Sequence, residues 1–316
     1  MKEIKKIDVH AHVTLYPDII PKLQVNGQRF LSVDEQIGMY DRLNIERGVL
    51  LPIISPEGQW FTMTNENCYL AARDNPERFL WFCNVDPRGG INDESADLSY
   101  IIEHYKALGA KGIGEVTSNM YADDPKMENL FSHCVACDMP MLIHISPRVG
   151  FNYGIVDDLG LPRIEKELKK FPDLKLIGHS QPFWAEMSED VTEALRNDYP
   201  TGKVKEGRLP KLMREYGNLY CDISAGSGAN ALMRDKEYAA RFLEEFSDRV
   251  LYGCDFCAVT NEHQFRLDEF LDGMVADGYL SIENYEKIVR GNAIKLLNLQ
   301  KGIQKNGTRN DNGSLL

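Results

Sequence analysis

Two histidines separated by one residue, His10 and His12, follow an apolar segment near the start of the chain. In an extended strand, residues i and i+2 point to the same face, so both imidazoles could bind one metal ion at about 2.0–2.1 Å. A His-x-His pair is weak evidence when it stands alone, because two polar residues at a strand end explain it equally well. Whether the pair indicates a metal site depends on the other histidines and carboxylates of the chain.

Four further residues of these types each end a short apolar segment: Glu115, His144, His179 and Asp255. A single histidine in such a place is usually a hydrogen-bonded core residue, and Glu115 could equally be an ordinary carboxylate paired with Lys111. Together, however, four imidazoles and two carboxylates form the set of ligands that zinc and its first-row neighbours prefer. We therefore predict a divalent transition metal, most simply zinc, as one or two ions.

The elements that would position these side chains alternate regularly along the chain. Short apolar segments, which we interpret as strands, are separated by amphipathic segments, which we interpret as helices. The predicted strands are Ile4–Val9, Gly48–Ile54, Phe79–Val85, Gly112–Val116, Met141–Ile145, Leu174–Gly178, Leu219–Ile223 and Val250–Gly253. The predicted helices are Val33–Leu43, Asn65–Asn75, Ala96–Leu108, Lys126–Cys137, Arg163–Phe171, Asn230–Phe246, Gln264–Met274 and Ile282–Asn298.

Such alternation predicts an α/β fold of the (β/α)8 TIM-barrel class with a C-terminal helical extension. An open, doubly wound parallel sheet is the alternative. In a barrel the functional side chains lie at the C-terminal ends of the strands, which is where the candidate ligands fall. We predict one barrel domain over residues 1–300 and a disordered tail over residues 301–316, which is rich in Gly, Asn, Ser and charged residues.

Composition restricts the partners. The net charge of −12 argues against non-specific binding to nucleic acid. No apolar run approaches the roughly 18 to 20 residues that cross a bilayer, and the first residues do not resemble a secretory signal. The seven cysteines are irregularly spaced, so we expect reduced and mostly buried thiols. These features predict a cytoplasmic protein, say little about its substrate and leave open whether it forms a homo-oligomer.

The chain resembles the amidohydrolase superfamily, and within it the amidohydrolase-2 group that includes aminocarboxymuconate-semialdehyde decarboxylase and aromatic-acid decarboxylases. The resemblance extends from Ile7 to about Leu299. It rests on the motifs Asp8-Val-His10-Ala-His12, Pro140-Met-Leu-Ile-His144, Ile177-Gly-His179 and Tyr252-Gly-Cys-Asp255, and on the closing segment Lys287-Ile-Val-Arg-Gly-Asn292-Ala-Ile-Lys-Leu-Leu297.

The resemblance implies roles for these residues. The metal ligands would be His10, His12, His144 and Asp255. In mononuclear members the counterpart of His179 transfers a proton or polarises the substrate, and in binuclear members it binds the second metal. Glu115 looks like the bridging glutamate of TatD-type hydrolases, so the number of metal ions stays open.

The resemblance also implies an enzyme, and the favoured activity is metal-dependent hydrolysis of a small carboxylate-bearing or cyclic substrate. A metal-activated water would attack, Asp255 would transfer its proton, and His179 would stabilise the oxygen that gains charge. The alternative is nonoxidative decarboxylation of an aromatic or unsaturated acid, with His179 or Asp255 as the proton donor. Glu115 inclines the expectation toward the hydrolase. A noncatalytic barrel is disfavoured because none of the implied ligands is missing.

Residues that follow the strands are candidates for binding the substrate. Arg148 could clamp a substrate carboxylate through two parallel hydrogen bonds, although a surface arginine explains it equally well. Tyr153, Phe183 and Trp184, together with Phe151, could line a pocket for a planar substrate. They could equally pack the loops against the rim of the barrel.

Overall fold

The computed structural model describes residues 4–22, 27–61 and 63–299. Within these residues, eight strands follow the predicted segments, with differences of a few residues at their ends. They are β1 (Lys6–Ala11), β2 (Ile45–Leu50), β3 (Phe79–Trp81), β4 (Ile113–Val116), β5 (Met141–Ser146), β6 (Leu176–His179), β7 (Leu219–Asp222) and β8 (Val250–Leu251). Two-residue strands at Val13–Thr14, Leu31–Ser32 and Ile155–Val156 lie outside this set.

The strands form a closed parallel barrel. Neighbours along the chain pair in parallel from β1 to β3 and from β4 to β8. A parallel bridge between Cys83 and Ile113 joins the two groups. On the other side, the amide of Val9 donates to the carbonyl of Tyr252 at 3.0 Å, which ties β1 to the segment after β8. Closure on both sides confirms the TIM-barrel prediction over the doubly wound sheet.

Helices cover the outside of the barrel and extend beyond its last strand. They are α1 (Val33–Leu43), α2 (Asn65–Asp74), α3 (Ser99–Ala107), α4 (Pro125–Ala136), α5 (Pro162–Lys170), α6 (Gln181–Ala185), α7 (Arg208–Glu215), α8 (Ala225–Met233), α9 (Lys236–Glu245), α10 (His263–Ala276), α11 (Ile282–Glu286) and α12 (Asn292–Leu296). A 3₁₀ turn spans Pro56–Phe61, and the π-helical turn Lys287–Gly291 connects α11 to α12.

Three helical segments differ from the prediction. The single helix predicted over Asn230–Phe246 is two helices, because the side chain of Asp235 accepts a hydrogen bond from the amide of Tyr238 and starts α9 anew. The short helices α6 and α7 were not predicted. In α7, Pro210 lies in the first turn, where its missing N–H costs no helical hydrogen bond.

Apolar side chains fill the inside of the barrel and pack between its strands and the surrounding helices. The inner cluster contains Ile7, Val9, Val49, Leu51, Phe82, Leu142, Ile177 and Leu251, and α12 adds Ala293 and Leu296 to it. Each buried Val, Leu, Ile or Phe side chain of this cluster contributes about 1.5–3 kcal/mol to the stability of the fold by leaving water. All seven cysteines lie within the described residues as free thiols, and six of them are buried, as predicted. The predicted tail over residues 301–316 lies outside the described residues.

No described helix has both the length and the apolar composition that a membrane span requires.

Candidate metal centre

The predicted ligands converge at the C-terminal ends of the barrel strands. His10 lies in β1 with His12 just after it, Glu115 in β4, His144 in β5 and His179 at the end of β6, and Asp255 follows β8. Ligand atoms from this set form three overlapping groups within 4.8 Å: His10, His12 and Glu115; His10, His179 and Asp255; Glu115, His144 and His179. Most of these side chains are buried, while that of Asp255 remains 17 % exposed.

Local irregularities of the strands aim three of these side chains. The pairing of β1 with β2 shifts register between Asp8 and Ala11, around His10. A second shift, between Ile113 and Val116, lies around Glu115. Such bulges redirect side chains and are frequent at barrel rims. Asp255 has a positive φ of 50°, a backbone conformation that non-glycine residues rarely adopt and that is concentrated at functional sites.

Hydrogen bonds set which ring nitrogens face the centre. Nδ1 of His12 lies 3.0 Å from the carbonyl oxygen of Leu51, which can only accept, so Nδ1 is the donor. Nδ1 of His10 lies 2.7 Å from a carboxylate oxygen of Asp222 and donates in the same way. In the neutral rings, the two Nε2 atoms therefore carry lone pairs, and they face each other at 3.0 Å.

Carboxylate oxygens complete this arrangement of acceptors. Oε2 of Glu115 lies 3.3 Å from Nε2 of His12 and 3.6 Å from Nε2 of His10. Oδ1 of Asp255 lies 3.7 Å and 3.6 Å from the same two atoms. Lone pairs and negative charges gathered around one point repel each other unless a cation lies among them. The donor set and its orientation therefore fit a divalent metal ion.

The electrostatics of His10 lead to the same conclusion. Burial by itself lowers the pKa of this imidazole, but the charges of Asp255 and Glu115 and the hydrogen bond with Asp222 outweigh it and raise the pKa well above 6.5. In the absence of a metal, a proton on His10 offsets the negative charge of the carboxylates. A metal ion bound at Nε2 would replace that proton.

Glu115 also contacts the histidine of the neighbouring strand. Nδ1 of His144 donates to Oε1 of Glu115 at 2.8 Å. Burial alone would raise the pKa of Glu115, but the charge of a protonated His10 and the hydrogen bond from His144 outweigh it and hold the pKa well below 4.5. Burial lowers the pKa of His144. Glu115 is thus a carboxylate, and His144 keeps a neutral ring whose Nε2 can bind a metal.

Asp222, at the end of β7, is a residue of the centre that the sequence analysis missed. Its side chain is buried and contacts Nδ1 of both His10 and His179, at 2.7 and 3.2 Å. Burial alone would raise the pKa of Asp222, but the hydrogen bonds from the two histidines hold it well below its usual value. The signal was present, because Asp222 ends an apolar strand just as His144 and His179 do.

A cavity of about 150 Å³ opens onto the centre. Its lining residues are His12, Phe30, Ile53, Glu115, His144, Tyr153, Asp255 and Cys257. Tyr153 is the predicted substrate-binding residue that the structure brings to this cavity, where its ring lies 4.7 Å from that of His144.

The structure does not bring the other predicted substrate-binding residues to the cavity. Phe183 and Trp184 are buried in the core, where Trp184 donates to the backbone carbonyl of Asp222 at 3.0 Å. Arg148 is exposed, and its guanidinium lies 5.2 Å from the centre of the Phe151 ring. Phe183 and Trp184 were assigned to the pocket because they follow His179. The tight start of α6 turns both rings toward the core instead.

A protein-family model described as Amidohydrolase matches residues 7–299, which is most of the chain. The chain belongs to the amidohydrolase family. The match spans the resemblance inferred from the motifs and places this protein in an enzyme family of the amidohydrolase superfamily. A comparison with curated proteins found no significant match.

Solved structures share the fold of this amidohydrolase at low sequence identity. A protein described as a probable 2-pyrone-4,6-dicarboxylic acid hydrolase from Acinetobacter baumannii is 14% identical, with a TM-score of 0.61 over 93% of this chain and 100% of that one. A 5-carboxyvanillate decarboxylase from Novosphingobium aromaticivorans is 17% identical, with a TM-score of 0.60 over 94% and 97%. A dihydroxybenzoic acid decarboxylase from Polaromonas sp. is 17% identical, with a TM-score of 0.57 over 94% and 98%. Both decarboxylase structures contain manganese.

Proposed function

We propose that this amidohydrolase is a metal-dependent decarboxylase of an aromatic or unsaturated carboxylic acid. The observation that carries the proposal is the cavity, whose floor is the ligand cluster and whose other walls are formed by Phe30, Ile53, Tyr153 and Cys257. A cavity of roughly 150 Å³ suits a single six-membered ring. Surroundings that exclude water favour the step in which a charged carboxylate is lost as neutral CO2.

The metal would be held by His10, His12, His144 and Asp255, with Glu115 beside them or as a further ligand. A first-row transition metal such as manganese or zinc suits this mixture of imidazoles and carboxylates. When bound, it would orient the substrate carboxylate and withdraw electron density from the ring. Two decarboxylases with the same fold contain manganese, and this supports the choice of metal.

The protein's own groups supply the proton. The bond between the ring carbon and the carboxylate breaks, its electron pair remains on the carbon, and one proton must reach that carbon. Asp255 lines the cavity, and its Oδ2 lies 3.7 Å from Nε2 of His179. We assign proton transfer to this pair, with Asp255 next to the substrate and His179 behind it. The pair takes up one proton from solvent before each turnover and passes it to the ring carbon as CO2 leaves.

Hydrolysis is the second candidate. Glu115 in the ligand cluster and the fold shared with a pyrone dicarboxylate hydrolase favour it. The residues are the same as for decarboxylation, but a water oxygen must enter the product. Isotopes therefore distinguish the two reactions.

The experiment uses protein loaded with manganese or zinc. It is incubated with hydroxylated benzoic acids, unsaturated dicarboxylic acids and cyclic lactone dicarboxylates, in D2O and separately in H2¹⁸O. Decarboxylation releases one CO2 per substrate and places one deuterium on the carbon that carried it, without ¹⁸O in the organic product. Uptake of ¹⁸O without release of CO2 would overturn the proposal in favour of hydrolysis. The matched control is His10→Ala, which removes a ligand.

A further inference from the structure

One oxygen of Asp222 accepts hydrogen bonds from His10 and Ser224 and lies close to a ring nitrogen of His179. Oδ2 lies 2.7 Å from Nδ1 of His10, 3.2 Å from Nδ1 of His179 and 2.6 Å from Oγ of Ser224. Since the hydroxyl proton of Ser224 is donated to Asp222, the same hydroxyl can accept from Nδ1 of His179, at 3.1 Å. A single carboxylate from β7 therefore contacts imidazoles of β1 and β6.

The second oxygen is held in a fixed direction. Oδ1 of Asp222 accepts from the amide of Ser224 at 2.9 Å. It also lies against Gly253, where an added Cβ would come within 2.2 Å of it. The side chain is fully buried, and the carbonyl of the same residue accepts from the indole of Trp184. The carboxylate therefore cannot easily turn.

We propose that Asp222 is the positioning residue that sets the tautomers of His10 and His179, an inference that rests on the proposed metal site. Asp222 accepts directly from Nδ1–H of His10 and orients the Ser224 hydroxyl that accepts from Nδ1–H of His179. It thereby keeps the lone pair of Nε2 directed into the centre in His10. In His179 it leaves Nε2 as the atom that faces Asp255, 3.7 Å away. A partner of this kind, behind a metal-binding histidine, sets the orientation and basicity of the ring.

Replacement by asparagine tests this role because Oδ1 is held in place. In Asp222→Asn, the amide oxygen must take the position that accepts from the Ser224 amide, so the NH2 group faces the two imidazoles. That group donates, and at least one Nδ1 must then accept, which moves the ring proton to Nε2. A protonated Nε2 on His10 cannot bind a metal.

The readouts are metal affinity and tautomer. We expect titration of manganese or zinc into the metal-free protein to show about 10- to 100-fold weaker binding in Asp222→Asn. ¹⁵N NMR of the metal-free protein, at a pH where the rings are neutral, should show protonated Nδ1 in His10 and His179 of the wild type. In the variant, at least one proton should have moved to Nε2. Asp157→Asn is the matched control, because Asp157 is also a buried carboxylate but accepts from the backbone amides of Asp158, Arg163 and Ile164 instead of an imidazole.

Asp222→Ala separates positioning from structure. Alanine leaves a cavity and an unpaired amide at Ser224, so a purely structural role predicts more damage from Ala than from Asn. The tautomer role predicts the reverse order for metal affinity, since only Asn enforces the wrong proton position. If Asp222→Asn does not fold, the tautomers of folded Asp222→Ala decide: retention of both Nδ1 protons overturns the inference, and a shift of either proton to Nε2 supports it.

The result also separates this inference from the proposed function. A wild type that binds metal, with Asp222→Asn binding it equally well and keeping both Nδ1 protons, overturns the inference alone. A wild type that takes up no metal overturns the proposed function, and the NMR measurement still decides the tautomers.

Discussion

Glu115 and His144 face each other across neighbouring strands, with Oε1 of Glu115 2.8 Å from Nδ1 of His144. The other oxygen of the same carboxylate lies 3.3 Å from Nε2 of His12. Glu115 therefore joins a ring that donates to it and a ring that presents a lone pair beside it. The carboxylate accepts from His144 and, beside the lone pair of His12, adds the negative charge that attracts a cation.

Replacing this carboxylate by an amide should weaken the metal site. In Glu115→Gln, one of the two oxygens becomes an NH2 group, which mismatches either His144 or the metal. We expect metal affinity to fall by about 10- to 100-fold, measured by competition with a chromogenic chelator. Glu167→Gln, in α5, is a matched control with a buried glutamate outside the ligand cluster. Equal affinities in the two variants would show that Glu115 only hydrogen-bonds to His144.

Asp255→Asn should leave the fold intact and reduce turnover. Asparagine is nearly isosteric with aspartate but cannot carry the proton that the reaction requires. The expected loss of kcat is on the order of 10² to 10⁴, the usual contribution of a general acid or base. Turnover must be measured with metal in excess, because Asp255 is also a candidate ligand. Near wild-type turnover of the metal-loaded variant would make Asp255 structural and the proposed mechanism wrong.

Tyr153 and Arg148 should differ in their effect on substrate binding. Tyr153 lines the cavity, so Tyr153→Phe removes a hydroxyl at the site, and we expect a KM increase of several-fold, corresponding to about 1 kcal/mol. Arg148 lies outside the cavity over the Phe151 ring, so Arg148→Ala should change KM little. A carboxylate clamp, as the sequence suggested, predicts instead that even Arg148→Lys raises KM, since an ammonium cannot form the bidentate contact.

Glu167 should make the stability of the protein depend on pH. Burial raises the pKa of this carboxyl from 4.5 to about 7, and Glu128 adds to the effect. Between these pH values the folded state binds more protons than the unfolded state, so the Glu167 contribution to the free energy of unfolding falls as pH rises. In Glu167→Gln that contribution is absent. Urea unfolding at several pH values should therefore show that the free energy of unfolding of the variant rises relative to that of the wild type from about pH 4.5 to 7. Above pH 7 the difference between the two proteins should stay constant. A difference that does not change with pH would contradict the raised pKa.

The order of residue types along the chain was enough to predict the barrel and most of its candidate metal centre. Parallel strands all present their carboxyl ends at one edge, so the polar residues that end apolar segments had to meet there. His10, His12, Glu115, His144, His179 and Asp255 were identified in this way, and the structure brings them together. Asp222 ends an apolar strand in the same way and is the residue of the candidate centre that was not predicted.

Several features depend on how the elements pack. The ring positions of Phe183 and Trp184 follow from the turn into α6, and the break between α8 and α9 follows from the cap that Asp235 provides. Neither the turn into α6 nor the Asp235 cap changes the pattern of apolar residues from which the pocket and the single helix were predicted. Local patterns report burial and periodicity, and they do not report the direction in which a turn sends a side chain.

The tautomers of the histidines depended on the tertiary structure alone. His10 and Asp222 are 212 positions apart, and their contact exists because barrel closure brings β1 beside β8 and within reach of β7. The register shifts in β1 and β4 that aim His10 and Glu115 likewise depend on pairing with neighbouring strands. Residue types along the chain are sufficient to predict a metal site. Which nitrogen of each ring faces it is decided by hydrogen bonds between strands that only the closed barrel brings together.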